Sequence, residues 1–319
     1  MPGEWDYIAW LRWRTPSHPR VVLGVGDDCA VLAAPSRPLL VTTDMLMDGT
    51  DFWLAEVGPR RAGRKAMAAN LSDIAAMAGV PVAAVVSLAL PQSDGAVAEE
   101  LYLGLREMAD RFNVPIVGGD TNSWMGKLVV AVTVLGEVTE RGIVRRSGAQ
   151  VGDWLFVTGP LGGSILGHHL DFTPRIDEAL RLHECVALHA MIDISDGLAA
   201  DVNHICQESG CGAVLRADAI PISPAAIELS RQTQKTPLDH ALEDGEDFEL
   251  VFAVSPEDGR KLQQEPPLPG LCKIGECVGS GLWLEDASGQ RQPLAPRGWE
   301  HPFAIAPVAV DAPASKRQP

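Results

Sequence analysis

The chain has 319 residues, of which 46% are hydrophobic and 21% are charged, and these proportions are typical of a soluble globular protein. Its length indicates about two domains. The formal net charge of −16 argues against a nucleic-acid partner, because binding through phosphate contacts needs a basic surface.

The sequence also predicts the cellular compartment of the protein. The segment from Met1 to Tyr7 has no basic start followed by an apolar run, so no secretory signal is expected. No stretch reaches the roughly 18 uninterrupted apolar residues of a membrane span. The six cysteines include no Cys-x-x-Cys pair, which favours reduced thiols over a zinc site. We therefore expect a cytoplasmic protein with no membrane partner.

In the first half of the chain, short β-branched runs alternate with helical patterns. The predicted strands are 21–26, 39–44, 82–90, 115–120 and 128–138, and the predicted helices are 60–78 and 96–112. This alternation predicts an α/β or α+β domain with one helical layer.

A polar, glycine-rich stretch around 147–153 separates this pattern from a second one. The second cycle predicts strands at 154–157 and 248–254, and helices at 176–190 and 198–208. We therefore expect an N-terminal domain over residues 1–150 and a C-terminal domain over 151–306. Residues 307–319 are rich in Ala and Pro, which predicts a disordered tail.

Several familiar motifs are absent. Gly24 to Cys29 resembles the start of a dinucleotide fingerprint, but Cys29 occupies the third glycine position and two aspartates would repel a pyrophosphate. The sequence contains no G-x-x-x-x-G-K-[ST] phosphate loop, no H-E-x-x-H and no G-x-S-x-G.

Aspartates follow many of the predicted strands. They are Asp27, Asp28, Asp44, Asp120, Asp193 and Asp196, and Asp73 lies in a predicted helix. If these runs are strands, the carboxylates leave the sheet at one kind of edge, where α/β proteins bind ligands. One such aspartate alone is better explained as a turn or cap residue. A set of converging carboxylates, however, is costly unless cations neutralise it, and oxygen ligands without His or Cys favour Mg²⁺.

Phosphate-binding elements accompany these acids. Glycine turns at 118–121 and 159–164 would bring backbone N–H groups close to phosphate oxygens, and Arg145-Arg146 offers guanidinium groups. Phosphoryl transfer needs mainly positioning and charge neutralisation, which fits a chain without a recognisable nucleophile constellation.

Eight motifs in order, between about residue 20 and residue 303, resemble thiamine-monophosphate kinase. They are Gly24–Ala30, Thr42–Asp44, Asn70–Met77, Gly118–Thr121, Arg146–Ala149, Ile192–Leu198, Gly245–Leu250 and Gly298-Trp299. The resemblance implies the fold of aminoimidazole ribonucleotide synthetase, in which the sheet of an N-terminal ATP- and Mg-binding domain joins that of a second subunit in a dimeric barrel. A C-terminal α/β domain follows. The implied reaction converts ATP and thiamine monophosphate to ADP and thiamine diphosphate by direct in-line transfer.

The resemblance also implies the site residues. The implied magnesium ligands are Asp28, Thr42, Thr43, Asp44, Asp73, Asp120, Asp193 and Asp196. ATP would contact Gly119, Asp120, Arg146 and Ser195, and the implied catalytic residues are Asp120, Arg146 and Asp196. The acceptor would meet Asp51, Glu246 and Trp299, and the Trp299 ring would stack on a cationic ring.

Three departures from the family pattern concern the acceptor. Asp51 stands where the family usually has His, Asp244 replaces the first glycine of Gly-Gly-Glu-Asp, and the segment from Gly163 to Pro174 is short. Two alternatives therefore stay open: an ATP-using enzyme of the same superfamily with another acceptor, or a catalytically weak Mg-nucleotide binding protein.

Overall fold

The computed structural model describes residues 4–25, 29–34, 36–91 and 95–300, which form a mixed α/β structure. The helices are α1 Glu4–Arg14, α2 Leu54–Ala76, α3 Gly95–Arg111, α4 His168–Asp171, α5 Ile176–Cys185, α6 Leu198–Ser209, α7 Pro224–Ser230, α8 Pro237–Glu243 and α9 Pro256–Gln264. The strands are β1 Val21–Leu23, β2 Val31–Leu32, β3 Leu39–Met47, β4 Val80–Pro91, β5 Ile116–Trp124, β6 Val129–Glu137, β7 Trp154–Val157, β8 Leu188–Asp193, β9 Gly212–Arg216, β10 Leu250–Val254, β11 Cys272–Val278, β12 Leu282–Glu285 and β13 Arg291–Pro293.

The first large sheet has four strands in the order β3-β6-β4-β5. Strand β6 runs antiparallel to both neighbours, whereas β4 and β5 are parallel. Side chains alternate between the two faces, so Leu40, Leu46 and Val132 pack in the core with α2 and α3. Met45, the neighbour of Asp44, points to the opposite face and is 60% exposed.

Helix α2 lies in the centre of the molecule. It is buried along most of its length and shares one apolar cluster with β3, β6 and residues of the second sheet such as Met191 and Phe252. Its many alanines allow this burial, and Gly63 allows α3 to approach: a Cβ at Gly63 would lie 2.1 Å from the Leu101 carbonyl oxygen. The buried part runs from Ala62 to Ala76, whereas Glu56 and Arg60 near the start of the helix are exposed.

The second large sheet has seven strands in the order β13-β12-β9-β11-β7-β10-β8. Strand β8 is at one edge and ends at Asp193, which pairs with Leu250 of β10. The core of this sheet includes Leu155, Ile192 and Val251, with Leu198 and Val202 of α6 packed on it. This arrangement brings the end of β8 beside α2.

The structure confirms the alternation of strands and helices and corrects two details. The helix predicted over 176–190 is wrong beyond Cys185, because Leu188–Asp193 pairs with β10 as a strand. The placement of aspartates at strand ends is right for Asp193 and wrong for Asp44 and Asp120. Strands β3 and β5 continue past these aspartates, since the residues after them still pair with β6 and β4.

Some expectations stay untested. Asp28 and the tail at 307–319 lie outside the described residues, and the boundary near residue 150 stays a proposal that falls between the two large sheets. Among the described helices, none combines the length and the apolar character needed to cross a bilayer.

Candidate active site

Three carboxylates from three elements converge between the two large sheets. Asp44 comes from the inner face of β3, Asp73 from the last turn of α2 and Asp193 from the end of β8. In this acidic cluster, the charge of Asp73 raises the pKa values of Asp44 and Asp193, and the charge of Asp44 also raises that of Asp193. The Thr42 hydroxyl, also on β3, donates a hydrogen bond to Asp73 Oδ2.

Burial is the main cause of the raised pKa values in the acidic cluster. It raises the pKa of Asp44 to about 6, with further contributions from Asp73 and Asp51. It raises the pKa of Asp193 to about 7, with Asp73 the next cause. The pKa of Asp73 is also raised by burial, although the hydrogen bond from Thr42 opposes the rise. Bare anions are therefore unfavourable in this position.

Polar residues of α2 hold the cluster in place. Ser72 Oγ donates to Asp193 Oδ2 at 2.6 Å, and Asn70 Oδ1 accepts the Asp44 backbone N–H at 3.0 Å. Both side chains are fully buried. Because they bond to β3 and β8, helix α2 sets the relative positions of the carboxylates.

Arg146 faces the acidic cluster across a cleft. A cavity of 420 Å³ is lined by Arg145, Arg146 and Ser147 on one side and by Thr42 and Asp73 on the other. The positive charge of Arg146 opposes the effect of burial on the pKa values of Asp73 and Asp193. The cleft thus combines a guanidinium with carboxylates, the groups that handle a metal-bound polyphosphate.

Asp196 begins a second polar group on the turn between β8 and α6. Oxygen or nitrogen atoms of Asp196, Asp201 and His204 all lie within 4.8 Å of one another, an arrangement that could hold a cation. Asp201 accepts the backbone N–H groups of Asp196 and Gly197 at 3.1 Å each. Burial, with the charges of Asp193 and Asp196, raises the pKa of Asp201 to about 8.

The acceptor candidates Asp51 and Glu246 meet through a residue that the sequence did not single out. Lys65 Nζ lies 2.5 Å from Glu246 Oε1 and donates to the Asp51 carbonyl oxygen at 2.6 Å. Lys65 is only 1% exposed. The Asp51 carboxylate accepts the Met47 backbone N–H at 2.7 Å and contributes to the raised pKa of Asp44. The acceptor candidates therefore adjoin the acidic cluster.

Ser195 and Asp196 connect Glu246 with Trp299. The Ser195 carbonyl oxygen accepts the Glu246 N–H at 2.7 Å, and the Asp196 carbonyl oxygen accepts the Trp299 N–H at 2.8 Å. The Trp299 side chain is 56% exposed, so its ring is accessible. Gly298 allows the approach, because a Cβ there would lie 2.5 Å from the Asp196 carbonyl oxygen.

The structure does not bring Thr43, Gly119 and Asp120 to the acidic cluster. Thr43 lies on the outer face of β3, where its hydroxyl bonds to Thr133 and Val132 of β6. Strand β5 is three strand spacings from β3, which separates the backbones of Asp44 and Asp120 by about 14 Å. Gly119 and Asp120 instead line a cavity of 1420 Å³.

The second glycine turn differs from its predicted role. The Gly162 N–H donates to Asp247 at 2.9 and 3.0 Å, and the Gly163 N–H donates to Asp244 at 3.1 Å. These amides bind the protein's own carboxylates rather than facing a ligand. Asp244 also accepts from His240 Nδ1 at 2.8 Å, which gives the departure at this position a structural role.

Sequence reasoning missed Lys65, Asn70, Ser72 and Asp201 as residues of the site. The signal for the first three was that they are polar side chains within the alanine-rich run from Ala62 to Ala76. Asp201 had no comparable signal, because an aspartate in the first turn of a helix is ordinary.

The two-domain architecture matches that of AIR synthase related proteins. Residues 26–138 match the family model of the AIR synthase related protein N-terminal domain, and residues 158–282 match that of the C-terminal domain. Hydrogenase maturation protein HypE of E. coli has the same fold at 20% identity, with a TM-score of 0.74 over 91% of this chain and 97% of that one.

Relatives with higher sequence identity point to one family within this class. The chain is 41% identical to thiamine-monophosphate kinase of Rhodopirellula baltica over 308 residues, which is 93% of this chain and 97% of the relative. The crystal structure of the Stenotrophomonas maltophilia kinase matches with a TM-score of 0.75 and 32% identity, covering 88% of this chain and 94% of that one. A structure of AaThiL complexed with AMPPCP and TMP matches with a TM-score of 0.74 and 30% identity, covering 94% and 97%. The chain belongs to the thiamine-monophosphate kinase family.

Proposed function

We propose that this protein transfers the terminal phosphoryl group of ATP to thiamine monophosphate, giving ADP and thiamine diphosphate. The observation that carries the proposal is the convergence of Asp44, Asp73 and Asp193 beside the Arg146 cleft. The acceptor candidates Asp51 and Glu246 adjoin this cluster, so both substrates would meet at one place. A direct in-line transfer needs this juxtaposition and no covalent intermediate on the protein.

The donor set fits Mg²⁺. The acidic cluster offers carboxylate oxygens without His or Cys, and burial raises the pKa values of Asp44 and Asp193, so a bound cation would offset the cost of ionising them. Asp44, Asp73 and Asp193, with Thr42, would hold the first ions, and Asp196 would hold another beside the polyphosphate. Bound Mg²⁺ would neutralise the phosphate oxygens and align the terminal phosphate for attack.

The protein's own residues would orient the two substrates. Arg146 would donate to the phosphates of ATP across the cleft, and Ser195 lies on the turn that also presents Asp196. Glu246 and the accessible Trp299 ring would receive the thiamine moiety, with the acceptor phosphate directed at the acidic cluster. Gly119, Asp120 and Thr43 would contribute only if another surface covers the outer face of the first sheet.

A second copy of the chain is the proposed cover of that face. The outer face exposes large apolar side chains, with exposed fractions of 66% for Val41, 60% for Met45 and 44% for Leu39. Contiguous apolar surface of this kind marks an interaction site, and β3 is an unpaired edge strand among the described residues. A homodimer would cover it and would place Asp120 at the subunit interface.

Replacing Met45 with Asp is expected to shift the protein from dimer to monomer, because a buried unpaired carboxylate is unfavourable at an apolar interface. Molar mass from light scattering measures the shift. The matched control is Val151→Asp, since Val151 is 67% exposed and lies outside both large sheets. A wild-type protein that is monomeric at high concentration contradicts the dimer.

Turnover of the purified protein tests the function. ADP formation with Mg-ATP is expected to depend on thiamine monophosphate, with thiamine diphosphate as the second product. If the rate of ADP formation does not depend on thiamine monophosphate but increases with another acceptor, the protein is a different enzyme of the superfamily. Tight Mg-ATP binding without turnover would favour a nucleotide-binding protein.

We place this reaction in the cytoplasm. All six cysteines are free thiols in the structure, which suits a reducing compartment.

A further inference from the structure

Lys65 is a deeply buried charged side chain that the reaction scheme does not use. It lies on α2, is 1% exposed, and its ammonium reaches Glu246 and the Asp51 carbonyl oxygen. An ammonium so deeply buried is unfavourable unless it is paired and hydrogen-bonded. These two contacts supply both, and the contact with Glu246 joins the first half of the chain to the second.

Glu246 is held in an unusual backbone conformation. Its φ is +61°, in the left-handed region, and Phe248 has φ of +51°. Such conformations are unfavourable for residues other than glycine, and they persist only where the surroundings enforce them. The surroundings here are the Ser195 carbonyl oxygen, the Lys65 ammonium and the stacking of Phe248 on Phe172, with ring centroids 3.9 Å apart.

The Glu246 carboxylate is paired but still partly accessible. Its Oε1 pairs with Lys65, while the side chain as a whole is 35% exposed. Lys65 also fixes the carbonyl of Asp51, whose carboxylate is bonded to the Met47 N–H. One ammonium thus sets the distance between two acceptor candidates that come from different halves of the chain.

We propose that Lys65 is the positioning residue of the acceptor subsite: it orients the Glu246 carboxylate and the Asp51 turn for the thiamine phosphate and does not itself touch ATP. The inference rests on the proposed function. It also predicts the direction in which the affinity for thiamine monophosphate changes when Lys65 is removed. If Lys65 only neutralised Glu246, its removal would strengthen binding of the cationic thiamine ring. If Lys65 positions Glu246, its removal weakens that binding.

Lys65→Met tests the direction of this change in affinity, because methionine keeps an unbranched side chain of similar length without the charge. The Michaelis constant for thiamine monophosphate is expected to rise by about tenfold, the effect of losing one hydrogen bond to a charged group. The Michaelis constant for ATP should change by less than about twofold. Unfolding temperatures and calorimetric Kd values for thiamine monophosphate accompany the kinetics.

Arg61→Met is the matched control. Arg61 lies one turn earlier on α2 and also crosses to the second half of the chain, where it pairs with Asp171 at 2.5 Å. If Lys65 only stabilised the contact between the two halves of the chain, both variants would change the Michaelis constants and the unfolding temperature in the same way. The proposal is overturned if they do, or if Lys65→Met leaves acceptor binding unchanged or tighter.

Glu246→Gln keeps the test decisive if Lys65→Met fails to fold, because Glu246 is partly exposed and Gln preserves the shape. Glu246→Gln removes the same ion pair from the other side and should also raise the Michaelis constant for thiamine monophosphate; where Lys65→Met folds, the two effects in the double variant should be far from additive. Additive effects would contradict the proposal. Absence of thiamine-monophosphate turnover in the wild type would instead overturn the proposed function.

Discussion

Asp73→Asn is expected to reduce kcat by about a thousandfold, which corresponds to about 4 kcal/mol of lost transition-state stabilisation. Asp73 is the centre of the acidic cluster: it accepts from Thr42, it raises the pKa values of Asp44 and Asp193, and it lines the Arg146 cleft. Asparagine keeps the oxygen that Thr42 needs but cannot supply the negative charge that a hard cation requires.

The same substitution should leave the unfolding temperature in EDTA unchanged or raised, because it removes one charge from a repulsive cluster. Kinetics and thermal denaturation together separate loss of chemistry from loss of folding. Asp171→Asn is the matched control, since Asp171 pairs with Arg61 away from the cluster, and it should retain activity. An Asp73→Asn enzyme with near-normal kcat would show that the metal-binding assignment is wrong.

Removal of Mg²⁺ is expected to abolish turnover, and the apparent affinity for Mg²⁺ should rise about tenfold between pH 6 and pH 8. Metal binding requires ionised carboxylates, and the pKa values of Asp44 and Asp193 are raised to about 6 and about 7. Below pH 7 the ion must displace protons from these groups. Titration calorimetry in two buffers at each pH measures both the affinity and the protons released.

The metal-free protein should lose stability as pH rises from about 4 to about 7. In this window the unfolded carboxyls have lost their protons, whereas the folded Asp193 still retains its own, so the folded state binds more protons. The protonated Asp193 therefore stabilises the fold at low pH, and this contribution disappears above the folded pKa. Saturating Mg²⁺ should remove the loss, as measured by thermal denaturation with and without EDTA.

Asp193→Asn should flatten the same pH dependence in EDTA, since asparagine has no proton to lose. A pH dependence of equal slope in the variant would mean that other groups, such as Asp201 with a pKa of about 8, dominate the effect. A rise in stability from pH 4 to pH 7 in the metal-free wild type would contradict the assigned direction.

Much of the first sheet could be predicted from the sequence, because its strands are runs rich in β-branched residues. Val129 to Glu137 contains four valines and one threonine, and the structure shows it as a strand that alternates between partly and fully buried positions. The boundary between α5 and β8 was not visible. His183 to Ala190 contains no glycine or proline to end the helix, and only pairing with β10 shows where the strand begins.

The candidate site was predictable as a set of residue types but not as an arrangement. Aspartates placed after apolar runs indicated a cation site, yet the sequence could not separate Asp44, which points at α2, from Thr43 and Asp120 on the opposite face. That distinction depends on strand register, and a shift of one residue exchanges the two faces. Lys65 was missed for a similar reason, since its partner Glu246 lies 181 positions along the chain.

Helix α2 fixes the distance between Lys65 in the acceptor subsite and Asp73 in the acidic cluster. Lys65 and Asp73 are eight residues apart on it, which is about 12 Å along the axis. The helix is largely buried from Ala62 to Ala76, so packing around this segment holds the spacing. One inserted residue between Lys65 and Asp73 would rotate one side chain by about 100° relative to the other. Differences in length are therefore expected in the loops around the cleft and not in this segment.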